Sequence, residues 1–159
     1  MAGFSAQVLA QLLDSLIAAA TASSISIDPA SIFMEASPVG THQVPYLVVR
    51  LPSDFEKSQW SASQNQRDSH FTAAVSLYAN VPPDGAHPFG DASTLGILNI
   101  FDQLHNAIDN ARGALQTATS PNRLLDYQTQ SSINWKEDPA TATITITIDF
   151  WFRYIAGSR

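Results

Sequence analysis

Histidine and acidic residues are the side chains from which this sequence would have to build a catalytic or metal site. The four histidines, His42, His70, His87 and His105, lie in four different segments of the chain. No two of them have the spacing of paired metal ligands, and no His-Glu-x-x-His arrangement occurs. We therefore predict no metal site, and we interpret the histidines as surface or half-buried polar residues.

One loop does combine acidic and histidine side chains. Asp84, His87 and Asp91 share a stretch rich in proline and glycine, residues that explain the loop without any chemistry. No serine occupies a Gly-x-Ser-x-Gly turn, and the 7 glycines are too dispersed for a phosphate-binding loop. The chain has no cysteine, which excludes thiolate ligands, disulfides and a cysteine nucleophile. We predict a protein that is not an enzyme and needs no cofactor.

The charge balance argues against a surface that grips nucleic acid. The sequence has 14 acidic and 8 basic residues, a net charge of −6, and no two basic residues are adjacent. Binding a phosphate backbone requires clustered cations that displace counterions. Only 14% of the residues are charged, so serine, threonine, asparagine and glutamine must supply much of the polar surface. Such a surface repels a second copy weakly and is compatible with an assembly.

The first element that could position any site is an N-terminal helix. Apolar residues recur at helical spacing over residues 8–22, with Ser5 as the predicted N-cap. Gln11 and Asp14 interrupt the stretch and no basic residue precedes it, unlike a signal peptide. It is also too short and too polar to cross a bilayer. We predict an amphipathic helix and no association with a membrane.

The last strand is the strongest local signal in the sequence. Residues 140–154 alternate isoleucine, phenylalanine and tyrosine on one face with threonine and other polar residues on the opposite face. A shorter segment, 70–79, alternates in the same way. Both patterns predict strands that are covered on one face only, which is typical of antiparallel sheets.

The remaining elements complete a single domain over residues 1–159. We predict strands at 31–36, 46–51 and 126–135 and a second helix that starts after Ser93 or Thr94 and ends at Gly113. A long polar loop is expected at 52–68 and a Pro/Gly loop at 82–92. The predicted order is α-β-β-β-α-β-β, an α+β fold with a mostly antiparallel sheet of about five strands and two helices packed on one face.

Aromatic residues outside the predicted core indicate contact surfaces. Trp151 and Tyr78 fall on the polar side of their strands, and Phe55 and Trp60 lie in the loop at 52–68. Large aromatic side chains in such places often belong to interfaces. The alternative interpretation is a second small cluster covered by the loop. The residues that we nominate for contact with neighbouring subunits or other proteins are Phe55, Trp60, Arg67, Tyr78, Trp151 and Arg153.

The order and style of these elements resemble the tail terminator family of long-tailed phages, the minor tail protein U-like or tail completion proteins. The resemblance covers nearly the whole chain and depends on element order and length, because the family has no signature motif. The segments that match are FSAQVLAQLLDSLIAAA, PYLVVRLP, HFTAAVSLYANVPP, LGILNIFDQLHNAID and TATITITIDFWFRY.

The resemblance implies a structural virion protein that forms a ring, six-fold in this family, at the head-proximal end of the tail. Such a ring caps the tail tube protein, contacts the head–tail connector protein and lets DNA pass through its channel without specific binding. It would assemble in the host cytoplasm and would have no catalytic residues and no cofactor. The acidic balance of the chain suits the passage of DNA.

Three other interpretations remain open from the sequence. A neck or head–tail connector subunit would have a similar fold, and gene transfer agents use related tail parts. A module that binds a small molecule or peptide on the sheet is a candidate from another class. An enzyme with a site assembled from distant residues would need a cleft with convergent polar groups.

Overall fold

The alternating segments of the sequence form one sheet in a computed structural model, which describes residues 3–35, 42–61, 66–82, 87–136, 140–155 and 157. The side chains of residues 59–61 and 155 lie outside that description. The elements are α1 (Phe4–Thr21), β1 (Ile32–Met34), β2 (Tyr46–Arg50), β3 (Glu56–Ser61), β4 (Gln66–Asn80), α2 (Ile97–Asn110), α3 (Arg112–Thr119), β5 (Arg123–Lys136) and β6 (Thr141–Ile155).

The sheet has six strands, of which five follow the order β1-β2-β4-β6-β5 and the sixth, β3, pairs with β4. The pair β1–β2 is parallel, and every other pair is antiparallel. Strand β4 is long enough to pair with β3 through its first half and with β2 through its second half. The α+β class and the mostly antiparallel sheet are confirmed.

The helices cover one face of this sheet. The core-facing residues of β6, from Ala142 to Tyr154 at every second position, are at most 3% exposed. They pack in one cluster with apolar residues of α1, α2 and α3 and with alternate residues of β4. The period of two in the sequence therefore corresponds to a covered face and an open face, as predicted.

Helix α1 contributes a stripe with a period of four. Its residues Phe4, Val8, Leu12, Leu16 and Ala20 are all buried. The helix has 18 residues and a mean hydropathy of 1.3, so by length and composition alone it could span a membrane, and the prediction that it is too short and too polar to do so is wrong. In this fold the apolar stripe of α1 packs into the core. The ring of Phe4 meets that of Phe152 edge-on, with 4.9 Å between ring centroids.

The segment 52–68, predicted to be a loop, is the main correction to the sequence interpretation. Most of it forms β3 and the start of β4, which pair from Glu56–Phe71 to Ser61–Gln66. Strand β3 reads EKSQWS and has no apolar alternation. Because the backbone ladder supplies its hydrogen bonds whatever the side chains are, a polar edge strand gives little signal in a sequence.

The predicted helix ends also need correction. Helix α1 starts after Gly3, so Ser5 lies in the first turn and is not the cap. Helix α2 starts after Gly96, not after Ser93 or Thr94. Gly113 lies inside α3, which continues the second helix beyond a break at Ala111. The backbone of Gly113 does not adopt the positive φ that a helix-ending glycine would have.

Candidate assembly surfaces

The open face of the sheet has a row of three cross-strand pairs between β4 and β6. The paired residues are Asp68 with Arg153, His70 with Trp151, and Thr72 with Asp149. Because alternate residues of each strand point to the same face, all six side chains lie opposite the helices. We refer to these six residues as the open-face row.

The pair at one end of the row is a bidentate ion pair. Arg153 Nε donates to Oδ1 of Asp68 at 2.7 Å, and Nη2 donates to Oδ2 at 2.9 Å. The hydrogen bonds from Arg153 hold the pKa of Asp68 below its ordinary value. The two side chains remain 41% and 31% exposed, so the contact fixes their orientation more than it stabilises the fold.

In the middle of the row, two aromatic rings stack on each other and one of them contacts a carboxylate. The rings of His70 and Trp151 are 5.3 Å apart and nearly parallel, at 19°. His70 Nδ1 lies 3.2 Å from Oδ2 of Asp149, and the Thr72 hydroxyl donates to Oδ1 at 3.4 Å. A carboxylate and the imidazole that it orients are two of the three members of a Ser-His-Asp triad. In this row the neighbouring hydroxyl, that of Thr72, bonds the Asp149 carboxylate and not the imidazole, whose ring stacks on the Trp151 indole.

A groove of about 760 Å³ runs beside the row. Three acidic residues, Asp54, Asp68 and Asp149, line it together with Lys57, His70 and Trp151. Trp151 is 39% exposed and forms the apolar part of the wall. The groove is open along the sheet, and both polar and apolar groups are accessible in it.

The structure separates the six nominated residues into several places. Trp151 and Arg153 belong to the open-face row. Arg67 pairs with Tyr154 and so lies on the opposite face of the sheet. Trp60 is opposite Arg67 in the backbone register, and its side chain lies outside the described residues. Phe55 packs on the main core and meets Phe71 edge-on at 5.8 Å, so it does not form a second small cluster on the open face.

Tyr78 lies on the open face at the other end of β4. Its ring stacks on Tyr46 at 4.5 Å and 9°, and its hydroxyl accepts a hydrogen bond of 2.9 Å from Arg50 Nη2. Eight residues of strand separate it from His70, a distance of about 26 Å. A neighbour that contacts Trp151 would therefore need an extended surface to reach Tyr78.

Sequence reasoning missed a second surface at the far end of β5. Ile133 and Trp135 are on the helix-covered side by strand parity, yet they are 51% and 56% exposed. The Trp135 ring stacks on Phe89 at 5.5 Å and 18°. Leu95 and Leu98, 58% and 44% exposed, lie in the segment that follows Phe89. We call Phe89, Leu95, Leu98, Ile133 and Trp135 the β5 patch.

A tight turn before α2 positions Phe89 in this patch. Gly90 has φ of +103°, and a Cβ at this position would collide with the side chain of Asn99. Asn99 Oδ1 accepts from the backbone N–H of Gly96 at 2.8 Å, and its Nδ2 donates to the Asp91 carbonyl at 3.1 Å. Leu98 N–H donates to the Phe89 carbonyl at 3.1 Å, so the start of α2 holds the aromatic residue in place.

The other polar residues considered for chemistry have structural roles. The Asp91 carboxylate accepts hydrogen bonds from the backbone N–H groups of Ser93 and Thr94, and these bonds lower its pKa. His87 lies 3.4 Å from the same carboxylate, and Asp84 falls outside the described residues. Within the described ranges no three His, Cys, Asp or Glu side chains are grouped to hold a metal ion.

His42 and His105 also lie apart from the open-face row. The His42 ring stacks on Phe33 at 3.8 Å, and its Nε2 pairs with the Glu35 carboxylate. His105 meets Phe101 edge-on, with 5.0 Å between ring centroids, on the surface of α2. An aromatic and a carboxylate contact thus hold the His42 ring, and an aromatic contact holds the His105 ring.

Comparisons with known proteins find similarity among solved structures only. No protein-family description and no curated protein matches the chain. A solved structure described as the virion of a native gene transfer agent (GTA) particle matches with a TM-score of 0.45 and 14% identity, over 92% of this chain and 92% of that one.

Proposed function

We propose that this chain is a structural subunit of a phage-like tailed particle and acts as its tail terminator. A ring of subunits, six in the family that the sequence resembles, caps the tail tube and offers a surface to the head-side connector. The observation that carries the proposal is the open-face row, because it places an exposed tryptophan and a bidentate ion pair on a sheet face that no described helix covers.

The chemistry of the row suits a contact between proteins. Trp151 can bury a large area at a small cost in side-chain entropy, which is why tryptophan is frequent at the centre of interfaces. Arg153 is held in one orientation by Asp68, so its remaining N–H groups are preorganised for an acceptor on a neighbour. Polar and threonine-rich surroundings keep the face soluble before assembly.

The resemblance supports the specific role within the particle. The predicted order α-β-β-β-α-β-β is present in the fold, with β3 added as an edge strand. The net charge of −6 favours a channel that DNA crosses without being held. Assembly on a tube end places the protein at the head-proximal end of the tail.

Solution mass and imaging test this proposal. We expect light scattering over a concentration series and negative-stain images to show rings of about six subunits, either free or formed when purified tail tubes are added. A protein that stays monomeric and fails to bind tube ends would contradict the proposal. Purification with headless tails distinguishes a terminator from a neck subunit, which should be absent from such tails.

A variant pair tests the placement of the contact. Trp151→Ala should reduce ring formation or tube binding by about tenfold or more, as expected for a central interface tryptophan. Thr143→Ala, on the same face and strand but outside the row, should change neither. Equal behaviour of the two variants would exclude the open-face row as the contact.

The groove beside the row favours one candidate of another class, a module that binds a small molecule or peptide. It combines an exposed indole with a lysine and several carboxylates, groups that can orient a polar ligand. Such a module would remain monomeric, and a ligand would raise its unfolding temperature. Thermal stabilisation by a ligand that Trp151→Ala abolishes, in a chain that never binds tubes, would favour this function.

A further inference from the structure

Among the residues that the structure describes, the outer edge of β5 from residue 127 to residue 135 shows none of the features that keep sheet edges from pairing. Residues 127–135, YQTQSSINW, contain no charged residue and no proline. The one irregularity in the ladder, a bulge between Leu124 and Asp126, lies before this segment. Exposed edges in natural proteins are usually blocked by lysine, proline, bulges or a covering element. No described residue pairs with this edge over these nine residues.

The near end of the same edge is covered, which sets where pairing can begin. Gln116 Oε1 accepts from the backbone N–H of Leu124 at 2.7 Å, and Arg112 Nη2 donates to the Leu125 carbonyl at 3.3 Å. Both side chains come from α3. Beyond the bulge, the described residues pair with β5 only through β6. The regular part of the edge therefore runs from residue 126 to residue 136.

We propose that two copies of this chain pair through this edge, antiparallel and symmetric about Ser131. Residue 131 is the midpoint of 126–136, so a two-fold axis through it matches the full length of one edge with the full length of the other. A second copy supplies an antiparallel partner strand of the same length.

The side chains of β5 are complementary in this register. The only charged residues of the strand are Arg123, Asp126 and Lys136. Pairing about Ser131 places Asp126 opposite Lys136 of the second copy, and the symmetry makes this contact twice. If the register shifted by two residues or more, Asp126 and Lys136 of the two copies would no longer lie opposite each other. Opposite charges directly across a ladder stabilise it, whereas like charges destabilise it.

The same register continues the β5 patch across the axis. Trp135 comes to lie opposite Tyr127 of the second copy, and Ile133 opposite Thr129, all on the helix-covered side. The 56% exposed Trp135 would then be flanked by Phe89 of its own chain and an aromatic ring of the other. At the end of the ladder, the bond from Tyr127 N–H to Asp126 Oδ1 would give way to a backbone bond, freeing the carboxylate for Lys136.

This pairing is separate from the ring contacts proposed above and does not depend on them. A two-fold contact closes after two subunits, whereas a ring needs a head-to-tail contact. The open-face row lies on β4 and β6, and the paired edge lies on β5. Failure of the pair would leave the ring proposal unchanged, and failure of the ring would leave the pair unchanged.

Cysteine cross-linking tests the register, because the chain has no cysteine of its own. Directly opposite Cα atoms in an antiparallel pair are about 4.5–5.5 Å apart, which a disulfide can bridge. Ser131→Cys should therefore form a covalent dimer under mild oxidation. Gln128→Cys alone should not, because residues 128 and 128 of the two copies are about 20 Å apart. Mixed with Asn134→Cys, it should form the mixed dimer.

Charge reversal provides the second measurement. In analytical ultracentrifugation, the unmodified chain should sediment as a reversible dimer. Lys136→Glu should raise the dimer Kd about tenfold by replacing two attractions with two repulsions. The double variant Asp126→Lys with Lys136→Glu should restore the original Kd. Thermal unfolding of each variant checks that the fold is intact.

Each result decides the proposal. A reversible dimer, a cross-link at 131 and rescue by the double variant support it. A chain that is monomeric at every concentration overturns it. So does cross-linking of Gln128→Cys alone as fast as Ser131→Cys, or a ring that forms without any cross-link at 131, since both would mean that β5 does not meet its own copy in this register.

Discussion

Strands β5 and β6 form one long hairpin, yet their helix-side residues have opposite environments. On β6 these residues are at most 3% exposed from Ala142 to Tyr154. On β5 only the first part is covered, where Leu124 is 5% exposed, whereas Ile133 and Trp135 are more than half exposed. Beyond the bulge between Leu124 and Asp126 the two strands pair residue by residue, so that paired residues lie on the same face. Burial in this hairpin therefore depends on what lies above a strand, and period alone does not determine it.

Lengths explain why the cover ends before the sheet does. A strand of 15 residues such as β6 spans about 50 Å. Helix α1, with 18 residues, spans about 27 Å, and α2 with 14 residues spans about 21 Å. Strand β6 lies between β4 and β5, and the helices pack over its whole helix-side face. Strand β5 lies at the edge of the sheet, where the helices cover only its first part. Its uncovered end is then available for contact with another chain.

The sharpest test compares two isoleucines that face each other across the hairpin. Ile144 and Ile133 are register partners on the same face, 3% and 51% exposed. Ile144→Ala should lower the free energy of unfolding by about 2–5 kcal/mol, because it leaves a cavity in the core. Ile133→Ala should cost less than about 1 kcal/mol. Chemical denaturation at concentrations below any self-association measures both.

A loss of about 2–5 kcal/mol in the free energy of unfolding for both variants would contradict this comparison. In that case Ile133 would have to be covered within a single chain, and the β5 patch would not be a surface. A small cost for both would instead mean that the core near Ile144 repacks around the missing atoms.

Much of the fold could be predicted because two periods dominate the sequence. The four-residue stripe of α1 and the alternation in β4 and β6 follow directly from which side chains must avoid water. Strand β3 could not be predicted in this way, since its polar residues lie on an edge strand and show no apolar alternation. The continuation of the second helix through Gly113 was missed because glycine so often ends helices.

The candidate surfaces could be predicted only in part. Trp151 and Arg153 were on the polar parity of β6, and the structure places them on the open face. The sequence did not predict Phe89 and Trp135 as surface residues. The alternation of β5 assigns Trp135 to the core side, and the position of Phe89 in a loop does not indicate that its ring stacks on Trp135. The comparison of strand and helix lengths was the one signal in the sequence that could have indicated an uncovered end.

Two glycines give a second comparison, with effects of opposite sign. Gly90→Ala should destabilise the protein by about 1–3 kcal/mol, since its φ of +103° is unfavourable for alanine and Asn99 blocks the space for a Cβ. Gly113→Ala should stabilise it by about 0.5–1 kcal/mol, because the residue lies inside α3 with open space around it. Thermal unfolding measures both changes.

Tryptophan fluorescence adds a local measurement to the same pair. Gly90→Ala should alter the environment of Trp135 by moving Phe89, whereas Gly113→Ala should leave it unchanged. A destabilising Gly113→Ala would mean that this residue ends the helix, as its type alone would indicate.

The smallest expected effect concerns the covered end of β5, where Tyr127 is tied to α2. Its hydroxyl donates to the Asp109 carboxylate, and this hydrogen bond, with burial, raises the pKa of Tyr127 to about 12 from 10.0. The folded chain keeps this proton longer than the unfolded chain. Stability from the contact is therefore complete below pH 10 and is lost as the pH rises from 10 to about 12.

Two variants separate this contact from general alkaline unfolding. Tyr127→Phe should flatten the loss of stability between pH 10 and 12 compared with the unmodified chain. Asp109→Asn keeps the phenol and should bring its pKa, read from ultraviolet absorbance, back toward the ordinary value. Tyr46, whose pKa burial also raises, remains in both variants and serves as the internal control. An unchanged alkaline slope in Tyr127→Phe would show that the covered end of β5 is held by its apolar packing and not by this hydrogen bond.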